Sequence, residues 1–116
     1  MPATLFPEPG HATECVVFCG PLWRWIGGKS ASWYFLTVDG AAAGQIAGHA
    51  LIRRLELGRG RGFGSVRVTA QVGDSTWRTS LFPKGEGCWM LPIKAAIRKA
   101  ENLAEADLVT CELILL

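Results

Sequence analysis

Charged side chains are scarce in this sequence, making up 19% of its 116 residues against about 25% in an average domain. Twelve Lys and Arg against ten Asp and Glu leave a net charge of only +2, well short of the basic bias of a dedicated nucleic-acid binder. Long apolar runs are missing as well, and nothing approaches the ~18 consecutive apolar residues of a membrane-spanning helix. The first thirteen residues, MPATLFPEPGHAT, have neither a basic start nor an apolar stretch. They do not read as a signal peptide, and Pro2, Pro7 and Pro9 make them a flexible lead-in to a single domain over residues 14–116. A cytoplasmic protein without membrane association is the expectation. No C-x-x-C occurs among Cys15, Cys19, Cys88 and Cys111. On a strand, Cys15 and Cys19 would stand about 13 Å apart, too far for a disulfide. Neither His11 nor His49 has a partner at metal-ligand spacing, so the thiols are expected to be ordinary buried ones, with no metal and no cofactor.

What the sequence does have is apolar bulk: 49% apolar residues, including five Trp and five Phe. A chain of this length buries roughly two thirds of the surface its unfolded form exposes, so one real core is expected. Residues 14–18 and 22–25 read as a strand interrupted at Gly20-Pro21, because Pro removes a ladder donor. ASWYFLTV, residues 31–38, is apolar on both faces and reads as a central strand, hairpinned to the first through residues 26–30. Asp39 can cap the helix that follows, in which Ile46, Ala47, Ala50, Leu51 and Leu55 form one stripe. Gly44 and Gly48 cost that helix about 1 kcal/mol each relative to Ala, which predicts a short helix or a late start. Val66, Val68, Ala70 and Val72 alternate with polar residues, Gly73-Asp74 makes a tight turn, and residues 75–82 return. A short strand is expected at residues 88–91. After Pro92, Ile93, Ala96, Ile97, Ala100 and Leu103 give a second helical stripe, and residues 108–115 close the chain as a strand with Val109, Cys111, Leu113 and Leu115 inward. ALIRRLE and AAIRKAE echo each other. That echo suggests two hairpin-plus-helix halves wrapped into one barrel, and chance likeness of two amphipathic helices is the other reading.

Two glycine-rich stretches invite a phosphate-binding interpretation. WIGGKSASW, residues 25–33, contains Gly28-Lys29-Ser30, but a phosphate loop requires a glycine five residues earlier, and that residue is Trp23. The stretch also runs into a strand where the loop needs a helix N-terminus. GRGRGFG, residues 58–64, is a better candidate: glycine lets backbone approach a phosphate, and Arg59 and Arg61 supply charge that Arg53, Arg54 and Arg67 would extend. A solvated loop that keeps the protein soluble is the plainer account of the same residues. Nucleophilic catalysis needs a base positioned by a third group, and the two His residues fall in a tail and on a helix. The acidic residues stand at turns and helix ends, where capping explains them, so no catalytic residue is assigned. Tryptophan is common both in cores and around ligands, and beside the core reading Trp77 and Trp89 are candidates for a ligand or partner surface.

Residues 66–115 carry further motifs: the valine strand at 66–72, Gly73-Asp74, Thr79-Ser80-Leu81-Phe82-Pro83, Gly85 and Gly87, Leu91-Pro92-Ile93-Lys94, Ile97-Arg98-Lys99-Ala100 and Asp107-Leu108-Val109. This pattern resembles the bacterial and archaeal family named domain of unknown function 1905. SWYFLTV fits the family's first-half strand as well, so the likeness spans most of the chain. Ala106 stands where the family usually has Gly, and Val38 where it usually has Pro. The resemblance implies a small β-barrel with helices, classed beside the double-split barrels of AbrB-type regulators and antitoxin DNA-binding domains, and with that kinship nucleic acid as a partner. It brings no activity, substrate or catalytic residue, and fold by itself does not carry function. Under the family pattern Gly85 and Gly87 serve a turn and Pro92 opens the second helix.

The fold class expected is therefore mainly β with two short helices, a closed or split barrel of five to seven strands. The leading functional reading is a non-enzymatic binding or interaction module. A nucleic-acid or anion-binding domain using Arg53, Arg54, Arg59, Arg61 and Arg67 is the alternative, and a small-molecule binder or enzyme at the barrel mouth stands behind it. A protein partner or a homodimer is also open, because a final strand ending in Ile114-Leu115-Leu116 would self-pair if its edge were uncovered.

Overall fold

Alternation of side chains decides most of the architecture. The computed structural model describes residues 14–27, 31–57 and 64–116; the lead-in expected at 1–13, the hairpin tip at 28–30 and the arginine-bearing loop at 58–63 lie outside the described residues. Along the chain run β1 (Glu14–Pro21), β2 (Trp23–Gly27), β3 (Ala31–Val38), α1 (Gly40–Leu57), β4 (Val66–Val72), β5 (Ser75–Gly85), β6 (Cys88–Pro92), α2 (Ala95–Ala100) and β7 (Leu108–Leu115). The seven strands form one curled, antiparallel half-barrel in the order β1-β7-β4-β5-β6-β3-β2. The two outermost strands, β1 and β2, are neighbours in sequence, separated only by Leu22. Leu22 is buried, donates its N–H to Asp107 O at 2.8 Å and accepts from Ala106 N at 2.7 Å. One residue thus joins both ends of the sheet.

The core lies inside the curl. Val66, Val68, Ala70 and Val72 of β4 face Val109, Cys111, Leu113 and Leu115 of β7 within it, as their alternation requires. Burial pushes the Cys111 thiol up to about 12, with the Glu112 charge adding to the rise and a backbone hydrogen bond from Gln71 opposing it. The other thiols do not follow the buried expectation: Cys15 and Cys19 occupy the outward positions of β1 and are exposed, and Cys88 is half-buried.

The helices depart from the sequence reading in instructive ways. α1 starts at Gly40 and runs 18 residues, so Gly44 and Gly48 neither delay nor shorten it. Its N-terminal half is docked by tertiary contacts that outweigh the propensity cost: Ala43 and Ile46 are buried, and Trp89 Nε1 donates to Ala43 O. Its C-terminal half runs past the sheet, leaving Leu51 54% and Leu55 70% exposed and breaking the expected stripe. α2 is only six residues long, buries Ile97, and leaves Ala96 and Ala100 exposed. Pro92 ends β6 opposite Phe35 instead of opening α2, because Ile93 still donates to Tyr34 O and Lys94 stays extended before the helix begins. Helices this unequal make the two halves of the echo structurally inequivalent. β7 is paired on both sides, by β1 and β4. Self-pairing through its edge has no free edge to use.

β3 pairs with β2 over Ala31–Phe35 and with β6 over Phe35–Val38, yet only one of its faces is buried. Leu36 and Val38 point into the core, while Trp33 on the other face is 53% exposed.

Candidate functional site

At the end of the barrel where β1 begins and β7 finishes, α1 passes over the start of β4. The His49 ring fastens it there: Nδ1 lies 2.9 Å from Glu14 Oε1 and Nε2 lies 3.0 Å from Leu116 O. One helical turn further, Arg53 and Arg54 project from the part of α1 that has left the sheet. Opposite them, β4 and β5 pair with Arg67 against Ser80 and Thr69 against Arg78. Because Val66 and Val68 point inward, Arg67 must point outward, and the register places Arg78 diagonally beside it on the same face.

Between these elements lies a cleft of about 630 Å³, lined by His49, Arg53, Arg54, Arg67, Arg78 and Leu116 among others. A shallower depression of about 260 Å³ shares Arg67, Arg78 and Leu116 with it and continues onto Ser80. Arg53 Nη1 lies 3.6 Å from Glu56 Oε1 in a solvent-exposed pair, an arrangement worth under about 1 kcal/mol. Arg54, Arg67 and Arg78 have neither a carboxylate nor a hydrogen-bond acceptor among the described residues. Three guanidinium groups therefore line one hollow with no acceptor among the described residues. Each offers five N–H groups in a planar fork that matches phosphate or carboxylate oxygens.

The structure brings Arg53, Arg54 and Arg67 together as the sequence suggested, whereas Arg59 and Arg61 lie outside the described residues. Sequence reasoning missed Arg78, although the tight Gly73-Asp74 turn puts it on the same hairpin face as Arg67. It also passed over His49, which positions the helix and for which spacing gave no signal. Trp77 and Trp89 require correction as surface candidates: each is 8% exposed and part of the core. The accessible tryptophans are Trp25, at 49%, and Trp33. Among the described residues, no three His, Cys, Asp or Glu side chains come together as metal ligands, and no helix is long and apolar enough to cross a membrane.

No curated protein matches the chain. Residues 18–113, most of its length, match the family described as Domain of unknown function (DUF1905), and the protein belongs to that family.

Proposed function

We propose that this domain is a non-enzymatic binding module that takes a phosphate-bearing ligand in the cleft between α1 and β4. The observation that carries the reading is the convergence of Arg54, Arg67 and Arg78 on one hollow without an anionic partner among the described residues. Holding like charges together costs free energy, and a bound anion repays it with charge-assisted hydrogen bonds. The volume falls within the range of small-ligand pockets, about 300–1,000 Å³. The described lining supports binding over turnover: its one hydroxyl side chain is Ser65, and both nitrogens of its one imidazole are engaged with Glu14 and Leu116. A nucleophile with its base is not assembled there.

The test is a titration of the isotope-labelled protein with inorganic phosphate and with a nucleoside diphosphate at low and at moderate salt. Amide shifts confined to residues 49–54, 64–67 and 78, weakening as salt rises, are expected. Arg67→Gln with Arg78→Gln should weaken binding at least about tenfold, in keeping with the loss of one to two charge-assisted hydrogen bonds. Absence of shifts at millimolar ligand would end the proposal.

A further inference from the structure

The outward face of the sheet continues from the cleft into a second feature that phosphate binding does not use. Trp23 pairs with Phe35 and Trp25 with Trp33 across the β2–β3 hairpin. Directly opposed residues share a face, so four aromatic rings stand on one side of two strands, and it is the side turned away from the core. Trp23 and Phe35 have ring centroids 5.0 Å apart at a 32° tilt, and Trp23 Nε1 donates to Thr37 Oγ1 at 2.9 Å, which locks its rotamer. Lys84 Nζ sits 5.3 Å from the Trp23 centroid. The outer rings, Trp25 and Trp33, are about half exposed.

Gly27 shows how Trp25 is presented. A Cβ at Gly27 would collide with the six-membered ring of Trp25, meeting Cη2 with Cζ2 and Cζ3 to either side. The ring occupies the space above Gly27 that any other side chain would take, and it remains about half exposed.

From β2 across to β4 the same outward face carries charge of one sign, and the first carboxylate beyond it is Glu112 of β7, opposite Gln71. Phe82 of β5 pairs with Met90 of β6, which pairs with Thr37 of β3, so the aromatic hairpin and the Arg78–Ser80–Phe82 row of β5 belong to one surface. Among the described residues, the outward positions of β2 to β6 hold Arg67, Arg78 and Lys84 and no carboxylate. β5 and β2 are three strands apart, roughly 14 Å across the sheet.

We infer that this face is a platform for single-stranded nucleic acid, with bases stacked on Trp25 and Trp33 and the phosphate backbone led past Lys84 toward Arg78 and Arg67. The inference rests on the reading of the cleft as a phosphate site and names the class of ligand. Exposed aromatic rings beside cations that have no carboxylate partner among the described residues are the complement of a chain that alternates bases with phosphates, and stacking on aromatic rings is tolerant of base identity. A duplex keeps its base faces inside the stack, so it can use the arginines but not the tryptophans.

The deciding experiment follows intrinsic tryptophan fluorescence while the full chain is titrated with a short oligodeoxythymidylate, a duplex of equal length and, by NMR, inorganic phosphate. Quenching by the single strand at low salt is expected, with the duplex binding at least about tenfold more weakly. Read by anisotropy of a dye-labelled oligodeoxythymidylate, because the variant removes the reporting rings, Trp25→Leu with Trp33→Leu should weaken the single strand tenfold or more and leave the phosphate-induced shifts at Arg67 and Arg78 unchanged. Trp25→Phe with Trp33→Phe should restore most of the affinity, which separates loss of stacking from damage to the hairpin. Equal affinity for single strand and duplex, or indifference to the leucine pair, overturns the platform. Phosphate shifts without oligonucleotide binding would also overturn it while leaving the cleft standing. Failure of both ligands removes both readings.

Discussion

Trp89 donates its indole N–H to the main-chain oxygen of Ala43 at 3.3 Å, across a separation of 46 residues. The bond ties β6, in the middle of the sheet, to the half of α1 that carries no functional side chain, and so fixes the direction in which the other half points. Trp89 holds the helix about three turns before Arg53 and Arg54, and His49 fastens it one turn before them. Trp89→Phe should cost about 1 kcal/mol for the lost hydrogen bond, and Trp89→Ala about 3–5 kcal/mol with the cavity included. Urea unfolding measures both, and the phenylalanine variant should also bind phosphate more weakly, because its helix is less firmly aimed.

Ala106 has φ +78, in the region where glycine is at home. An L-residue in the left-handed region costs roughly 1–2 kcal/mol, and a glycine gives back about 0.5–1 kcal/mol through the entropy of the unfolded chain. Ala106→Gly is therefore expected to stabilise by about 0.5–1 kcal/mol, seen as a higher urea midpoint with an unchanged slope. The backbone thus supplies a physical reason for the glycine that the sequence resemblance implies at this position.

The thiols should separate cleanly by reactivity. Cys15 and Cys19 are exposed, whereas Cys111 is buried with its ionisation pushed up to about 12 from 9.0. A disulfide reagent at neutral pH should label the first two in the native protein and reach Cys111 only after unfolding. The raised value also sets a sign. The folded state favours the neutral thiol, so the contribution is fully present below pH 9 and is lost progressively as pH rises toward about 12. A falling urea midpoint over that window, with a shallower fall in Cys111→Ala, is the expected result.

Gly27→Ala should change the presentation of Trp25 more than the stability of the fold. The added methyl group occupies the space of the indole, and the ring must rotate away from the strand. Acrylamide quenching of tryptophan fluorescence should rise, and oligonucleotide affinity should fall toward that of Trp25→Leu.

The sheet was largely legible because β4 and β7 alternate without exception. Val66 to Val72 and Val109 to Leu115 place one apolar residue at every second position, and only one register buries them all. The cleft was legible in part: Arg67 and Arg78 are outward by that same alternation, but nothing in a helical pattern says that α1 leaves the sheet after Ala50. Leu51 and Leu55 continue the apolar period past the point where anything covers them. Periodicity reports which side of a helix is apolar, and not where its neighbour ends. The tryptophans were unreadable for a related reason. Trp33, Phe35 and Thr37 on one face of β3 compete with Tyr34, Leu36 and Val38 on the other, so composition could not choose the inside.

The joining of both sheet edges through Leu22 has a kinetic consequence. β7 is the last strand of the described chain, yet it lies between β1 and β4, so residues 14–107 can pair as β4-β5-β6-β3-β2 but leave β1 without a neighbour. The closing step pairs Glu14 with Leu115, contacts from opposite ends of the described chain, and must overcome the entropy of a loop nearly as long as the domain before any of that pairing is gained. Refolding is therefore expected in the millisecond-to-second range typical of non-local β topologies, with the β4–β5 hairpin formed early and waiting for its neighbour.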